Sequence, residues 1–77
     1  MTDAAHSNVR LTFGLTPREL EVLLLICDGL SSKQIGQRLG ITRKTVEFHR
    51  AQISDKTETS NVAGLVRWAM REGLIVP

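Results

Sequence analysis

Four segments of the chain carry apolar residues at the three- and four-residue spacing of an amphipathic helix, and short polar or glycine-containing stretches separate them. The third segment shows this spacing clearly, since Val46, His49 and Ile53 fall on one inward stripe. No segment shows the pattern of a strand. The chain is therefore predicted to be all-α, a four-helix bundle with helices at about residues 17–28, 32–39, 43–56 and 62–72.

Helix-capping residues stand at the start of the first two predicted helices. Thr16 precedes Pro17, which suits the first helical position, and Glu19 is placed to close a capping box with Thr16. Ser31 and Gln34 repeat the same arrangement before the second helix. These signals place both helix starts.

A short turn joins the second and third predicted helices. Gly40 interrupts the second helix, Ile41 offers an apolar side chain, and Thr42 can cap the third helix, as Asn61 can cap the fourth. A connection of about three residues is typical of a helix-turn-helix. The sequence therefore predicts this motif within the bundle.

Basic residues are concentrated in the segment that contains the motif. The net charge of the 77-residue chain is only +2, yet five bases stand between residues 33 and 50 against one acid, Glu47. The bases are Lys33, Arg38, Arg43, Lys44 and Arg50. This distribution predicts an electropositive surface that suits a polyanion, with a solvated helix face as the alternative.

Length and composition exclude several other classes of protein. A chain of 77 residues holds one modest core, so we expect one domain at 14–77 after a flexible lead-in or linker remnant at 1–13. Cys27 stands alone, which excludes an internal disulfide and favours a buried apolar role. The chain has no apolar run of membrane-spanning length and no signal-peptide pattern, which predicts a cytoplasmic protein.

Catalytic and metal-binding patterns are absent from the sequence. It contains no zinc-type spacing of His and Cys, no glycine-rich phosphate loop, and no Ser-His-Asp set that so short a chain could position. We therefore expect neither an enzyme nor a protein that needs a cofactor or metal.

Residues Leu15 to Ile75 follow a known family pattern in order and without gaps, with local departure at Thr57-Glu58-Thr59. The matching stretches include Leu15-Thr16-Pro17-Arg18-Glu19, Gly29-Leu30-Ser31, Lys44-Thr45-Val46-Glu47 and His49-Arg50. In these residues the chain resembles the LuxR-type (GerE, FixJ and NarL) helix-turn-helix DNA-binding family. The resemblance implies sequence-specific binding of double-stranded DNA by the output domain of a bacterial transcription regulator, most like a two-component response regulator. The alternatives are a free-standing small regulator and a module that docks on an acidic protein partner.

The resemblance and the chemistry of the third helix together suggest the contact residues. Base reading is expected from Glu47, Phe48, Arg50 and Ala51. Phosphate contacts are expected from Lys33, Arg43, Lys44 and Thr45. Two alternatives remain open: Glu47 could pair within the helix with Arg43 or Arg50, and Phe48 could fold back into the core.

The fourth predicted helix is apolar over more than one face. Part of it must close the core, and the rest is expected to form a homodimer on DNA, as relatives in the family do. The predicted dimer residues are Leu65, Val66, Trp68 and Ala69. The alternative for Trp68 is a place in the core, and RNA polymerase is a further candidate partner of the domain.

Overall fold

A computed structural model of the protein describes residues 11–76. Within this range the chain forms four helices, α1 Pro17–Cys27, α2 Ser32–Leu39, α3 Arg43–Thr57 and α4 Val62–Arg71. The predicted all-α fold is confirmed, and each predicted helix bound lies within one residue of the observed one. Most of the predicted lead-in, residues 1–10, lies outside the described residues.

The predicted caps form at all four helix starts. In the first capping box the N–H of Thr16 donates to Glu19 Oε1 (2.9 Å), and the N–H of Glu19 donates to Thr16 Oγ1 (3.2 Å). Ser31 and Gln34 form an equivalent box before α2. Single caps at Thr42 and Asn61 begin α3 and α4. Each helix start is thus fixed by residues within one turn of it.

Every helix contributes to one apolar core. The buried apolar residues are Leu15, Val22, Leu23, Ile26, Ile35, Val46, Ile53, Leu65 and Ala69. The inward stripe of α3 differs from the predicted one, because His49 is only half-buried and its ring meets that of Phe48 edge-on, with 6.0 Å between the ring centres. Thr57 continues the buried stripe instead, and its hydroxyl donates to the Ile53 carbonyl (2.8 Å).

The turn between α2 and α3 packs directly on the backbone of α2. A Cβ atom at Gly36 would lie 2.7 Å from the Ile41 carbonyl oxygen, and the Ile41 N–H donates to the Gly36 carbonyl (3.0 Å). Gly40 ends α2 in the left-handed region, with φ of 72°. The sequence pattern identified Gly40 as the helix stop but gave no sign that Gly36 is the site of close approach.

An ion pair links the start of α1 to the end of α3. Lys56 Nζ donates to Glu19 Oε1 at 2.8 Å, and only 7% of the Glu19 side chain is exposed. Burial raises the pKa of Glu19, but the hydrogen bonds from Lys56 and from the Thr16 N–H, together with the Lys56 charge, outweigh it and leave the pKa below its usual value. This carboxylate therefore serves both the cap of α1 and the placement of α3.

Residues just before α1 belong to the folded unit. Thr12 and Leu15 exchange two backbone hydrogen bonds of 2.9 and 3.0 Å. The ring of Phe13 lies edge-on against Trp68 of α4, with 6.4 Å between the ring centres. The structure thus places Thr12 and Phe13 with the domain rather than with the predicted lead-in.

The variant Glu19→Gln should lower the free energy of unfolding at pH 7 by about 1–2 kcal/mol, because Lys56 loses its buried charge partner. Folding lowers the pKa of Glu19. The contribution of its carboxylate to the free energy of unfolding is therefore fully present above the unfolded-state pKa of about 4.3, and it is lost as the pH falls through the folded-state pKa. Urea unfolding at a series of pH values should therefore show the two proteins converging as the pH falls below the unfolded-state pKa and through the lower folded-state pKa.

The matched control for this experiment is Glu21→Gln, which removes a carboxylate that pairs with Arg18 at 3.4 Å on the exposed face of α1. This variant should remain close to the unchanged protein at every pH, because exposed pairs contribute little. A stability loss in Glu19→Gln that is the same at pH 7 and at acidic pH would contradict the assignment.

The variant Gly36→Ala should destabilise the fold by about 1–3 kcal/mol, although alanine favours a helix by about 1 kcal/mol over glycine. The added methyl group meets the backbone carbonyl of Ile41, which only a shift of the turn can relieve. Thermal unfolding measures the effect, and Gln37→Ala, at an exposed position of the same helix, is the control. If the Gly36→Ala protein were as stable as the original, the turn would be able to shift without an energetic cost.

Candidate nucleic-acid interface

The outer face of α3 is exposed. Lys44, Phe48 and Ala51 are spaced by four and three residues, and all three are exposed. Phe48 is 60% exposed, so the alternative in which it folds back into the core is wrong. A large aromatic side chain on an exposed, otherwise polar helix face is available to contact a ligand.

The start of α3 presents groups that suit an anion. Val46 donates the first intrahelical hydrogen bond, to the Thr42 carbonyl (3.1 Å), so the N–H groups of Arg43 and Lys44 precede the helical ladder. The hydroxyls of Thr45 and Thr42 are 2.9 Å apart and hydrogen-bonded. Three of the predicted phosphate contacts, Arg43, Lys44 and Thr45, are therefore exposed together at the positive end of the helix dipole.

An open cleft of about 490 Å³ lies between the start of α2 and the adjacent side of α3, and we call it the α2–α3 cleft. Lys33 lines it from α2, and Arg43, Glu47 and Arg50 line it from α3. The fold thus brings Lys33 together with residues that are 10 or more positions away in the sequence. Three cations and one carboxylate make this cleft electropositive.

Arg50 lies away from the exposed Phe48 and Ala51, although it lines the α2–α3 cleft together with Glu47. It shares the spacing of Val46 and Ile53 and is half-buried, whereas Phe48 and Ala51 are exposed. Arg50 also lines a smaller cavity of about 110 Å³ beside the start of α4, near Asn61. The structure therefore places Arg50 on the flank of α3 and not on its outermost face.

Glu47 forms the intrahelical ion pair with Arg43 that the sequence analysis left open, but the pair is loose. Its Oε2 lies 3.9 Å from Nε of Arg43, and the two side chains are 52% and 74% exposed, respectively. A pair of this length and exposure holds both side chains weakly. The Glu47 carboxylate therefore remains accessible on the wall of the α2–α3 cleft.

Two of the four predicted dimer residues are in the core of the monomer. Leu65 is 5% exposed and Ala69 is fully buried, so neither side chain lies where a second subunit could contact it. Val66 and Trp68 are half-buried, and Phe13 covers part of Trp68. The available apolar surface of α4 also includes Val62, which is 45% exposed and was not predicted.

Some residues of the site were recognised in the sequence for another reason. Ser31 and Gln34 were identified as capping residues, and the structure also places them on the wall of the α2–α3 cleft. Their position in the first turn of the second helix, beside Lys33, was the available signal. These two residues can both cap the helix and line the cleft, because the first N–H groups of a helix are exposed at its start.

The described part of the chain contains no cluster of three or more His, Cys, Asp or Glu that could hold a metal ion. Burial raises the pKa of the Cys27 thiol, which disfavours the reactive thiolate. None of the four helices found in residues 11–76 has the length and apolar character needed to cross a bilayer.

Several known regulators are similar to this chain. The transcriptional regulatory protein MctR of Rhizobium johnstonii is 44% identical over 61 residues, which cover 79% of this chain and 28% of MctR. FixJ of Bradyrhizobium diazoefficiens is 38% identical over 61 residues, covering 79% of this chain and 30% of FixJ. The chain thus spans less than one third of the length of either relative.

A solved structure and a family model agree with these similarities. The VqmA dimer of Vibrio cholerae, described as a LuxR-type receptor, superimposes with a TM-score of 0.70 at 32% identity, covering 90% of this chain and 29% of that chain. The model of the bacterial regulatory proteins of the luxR family matches residues 14–69. With its four helices, exposed α3 and electropositive cleft, the chain belongs to the LuxR family of bacterial regulatory proteins and is a helix-turn-helix DNA-binding domain of that family.

Proposed function

We propose that this domain binds a specific double-stranded DNA sequence as the output domain of a transcription regulator of the response-regulator type. The observation that carries the proposal is the exposed outer face of α3 beside the electropositive α2–α3 cleft. Similar proteins support the regulatory role: MctR and FixJ are named transcriptional regulatory proteins, and YgeK of Escherichia coli, 43% identical over 60 residues, is named a response regulatory protein. Such a regulator would act in the cytoplasm on bacterial DNA and would carry out no catalytic step.

In the proposed complex α3 enters the major groove and the start of α2 crosses the phosphate backbone. Lys33 would contact a phosphate from α2, while Arg43, Lys44 and Thr45 would contact phosphates from the first turn of α3, where the helix dipole adds to their charge. These contacts set the orientation of the domain and carry no sequence information.

The division of contacts within α3 differs from the sequence prediction at one residue. Glu47, Phe48 and Ala51 are exposed one turn beyond the phosphate contacts, so we keep them as the base-reading set. Arg50 shares the cleft with Lys33, Arg43 and Glu47, but unlike Glu47 it is half-buried on the flank of α3. We therefore assign its guanidinium to the phosphate backbone rather than to a guanine.

We further propose that two copies bind together through α4. The apolar side chains available for this contact are Val62, Val66 and Trp68, in place of the buried Leu65 and Ala69. The matching Vibrio cholerae protein is described as a dimer, which supports the pairing of two copies, and the choice of α4 rests on its accessible apolar side chains. A two-fold dimer would read a repeated half-site.

Selection of bound duplexes from a random pool should yield one half-site that occurs twice, with centres about one helical turn apart. Fluorescence anisotropy with the selected duplex should then show affinity that falls steeply with salt concentration, because several phosphates release counterions on binding. Binding that is indifferent to salt, with no enriched sequence, would instead favour docking on an acidic protein such as RNA polymerase.

The variants Lys44→Ala and Arg50→Ala should each weaken binding to the selected and to a random duplex by similar factors. Each should also reduce the slope of log affinity against log salt by about 1, because one phosphate contact is lost. Arg18→Ala is the matched control, since it removes the same charge from α1, where Arg18 pairs with Glu21. If Arg50→Ala relaxed the preference at one base pair and kept its affinity for random DNA, Arg50 would be a base-reading residue.

A further inference from the structure

Glu47 introduces a negative charge into a surface whose proposed ligand is a polyanion. The α2–α3 cleft is lined by Lys33, Arg43 and Arg50, and Glu47 is the acidic side chain among its lining residues. It stands one helical turn after Arg43 and directly before the exposed Phe48. A carboxylate at this place opposes the approach of phosphates, so it costs affinity for any duplex that does not compensate it.

The pair with Arg43 does not neutralise this charge. The atoms are 3.9 Å apart, and more than half of each side chain is exposed. A solvated pair of this kind contributes little and is easily exchanged for other partners. When a phosphate approaches Arg43, it competes with Glu47 for the same guanidinium, and the carboxylate then faces the groove alone.

The chemistry of the major groove determines where the charge can be compensated. Guanine N7 and O6, adenine N7 and thymine O4 are hydrogen-bond acceptors, which repel a carboxylate. The amino groups of cytosine and adenine are donors, and in adenine the acceptor N7 lies beside the amino group. The cytosine amino group is therefore the base-edge partner that best suits Glu47.

We infer that Glu47 is a specificity-determining residue that acts by repulsion: it lowers affinity for duplexes in general, and a cytosine amino group opposite it relieves this cost. The inference rests on the proposed function, since it requires α3 to lie in the major groove. Specificity at this position then arises from rejecting wrong base pairs as much as from binding the right one.

The test compares Glu47→Gln and Glu47→Ala with the original protein on two duplexes of equal length, the selected one and one of random sequence. Both variants should bind the random duplex roughly 3- to 10-fold more tightly at about 0.1 M salt, because a repulsive charge is removed. The ratio of affinities for the selected and random duplexes should fall roughly 5- to 100-fold in Glu47→Ala, which also lacks the hydrogen-bond acceptor. A repeated site selection with this variant should lose one C·G preference in each half-site and keep the others.

Asp55→Asn is the matched control, because it removes the same charge from an exposed position of α3 two turns further along. This variant should retain the affinity ratio and every base preference. The inference is wrong if Glu47→Ala binds random DNA no more tightly than the original protein, or if every half-site position keeps its preference. Either of these results would leave the proposed function unaffected. The proposed function itself would be wrong if the original protein enriched no sequence from the random pool and bound DNA without salt dependence.

Discussion

The turn between α2 and α3 packs so closely on α2 that a Cβ atom at residue 36 would lie only 2.7 Å from the Ile41 carbonyl oxygen. This turn geometry therefore requires glycine at position 36. This contact sets how tightly the start of α3 is held against α2. The electropositive cleft between these helices, and the exposure of the outer face of α3, both depend on that placement. A geometric requirement at one buried backbone position thus places the start of α3 in the candidate interface.

The far end of α3 is held by a different kind of interaction. Glu19 accepts hydrogen bonds from the Thr16 N–H and from Lys56, so one carboxylate both begins α1 and anchors the last turn of α3. Between the two ends, Val46 and Ile53 pack in the core. Because the start, the middle and the end of α3 are each restrained by a separate contact, the helix backbone needs no further ordering on binding, which reduces that part of the entropic cost.

In the proposed complex the interface combines attraction with selective repulsion. Lys33, Arg43 and Arg50 converge on one cleft from two helices, which favours a phosphate backbone whatever its sequence. Glu47 is weakly held in the same cleft and opposes that general attraction. On the proposed assignments, affinity and specificity depend on different side chains of one cleft, so the base preference could change without loss of the phosphate contacts.

Features whose causes lie within one helical turn could be predicted from the sequence: the all-α class, the helix starts at Thr16, Ser31, Thr42 and Asn61, and the basic character of the third helix. Such features are local because a cap and its partner are three residues apart. The packing of the helices determined that Leu65 and Ala69 face the core, that Phe48 is exposed, and that Lys56 meets a carboxylate 37 residues away. Each of these depends on which neighbouring helix covers a given face, and helical periodicity cannot specify this when a helix is apolar or charged on more than one side.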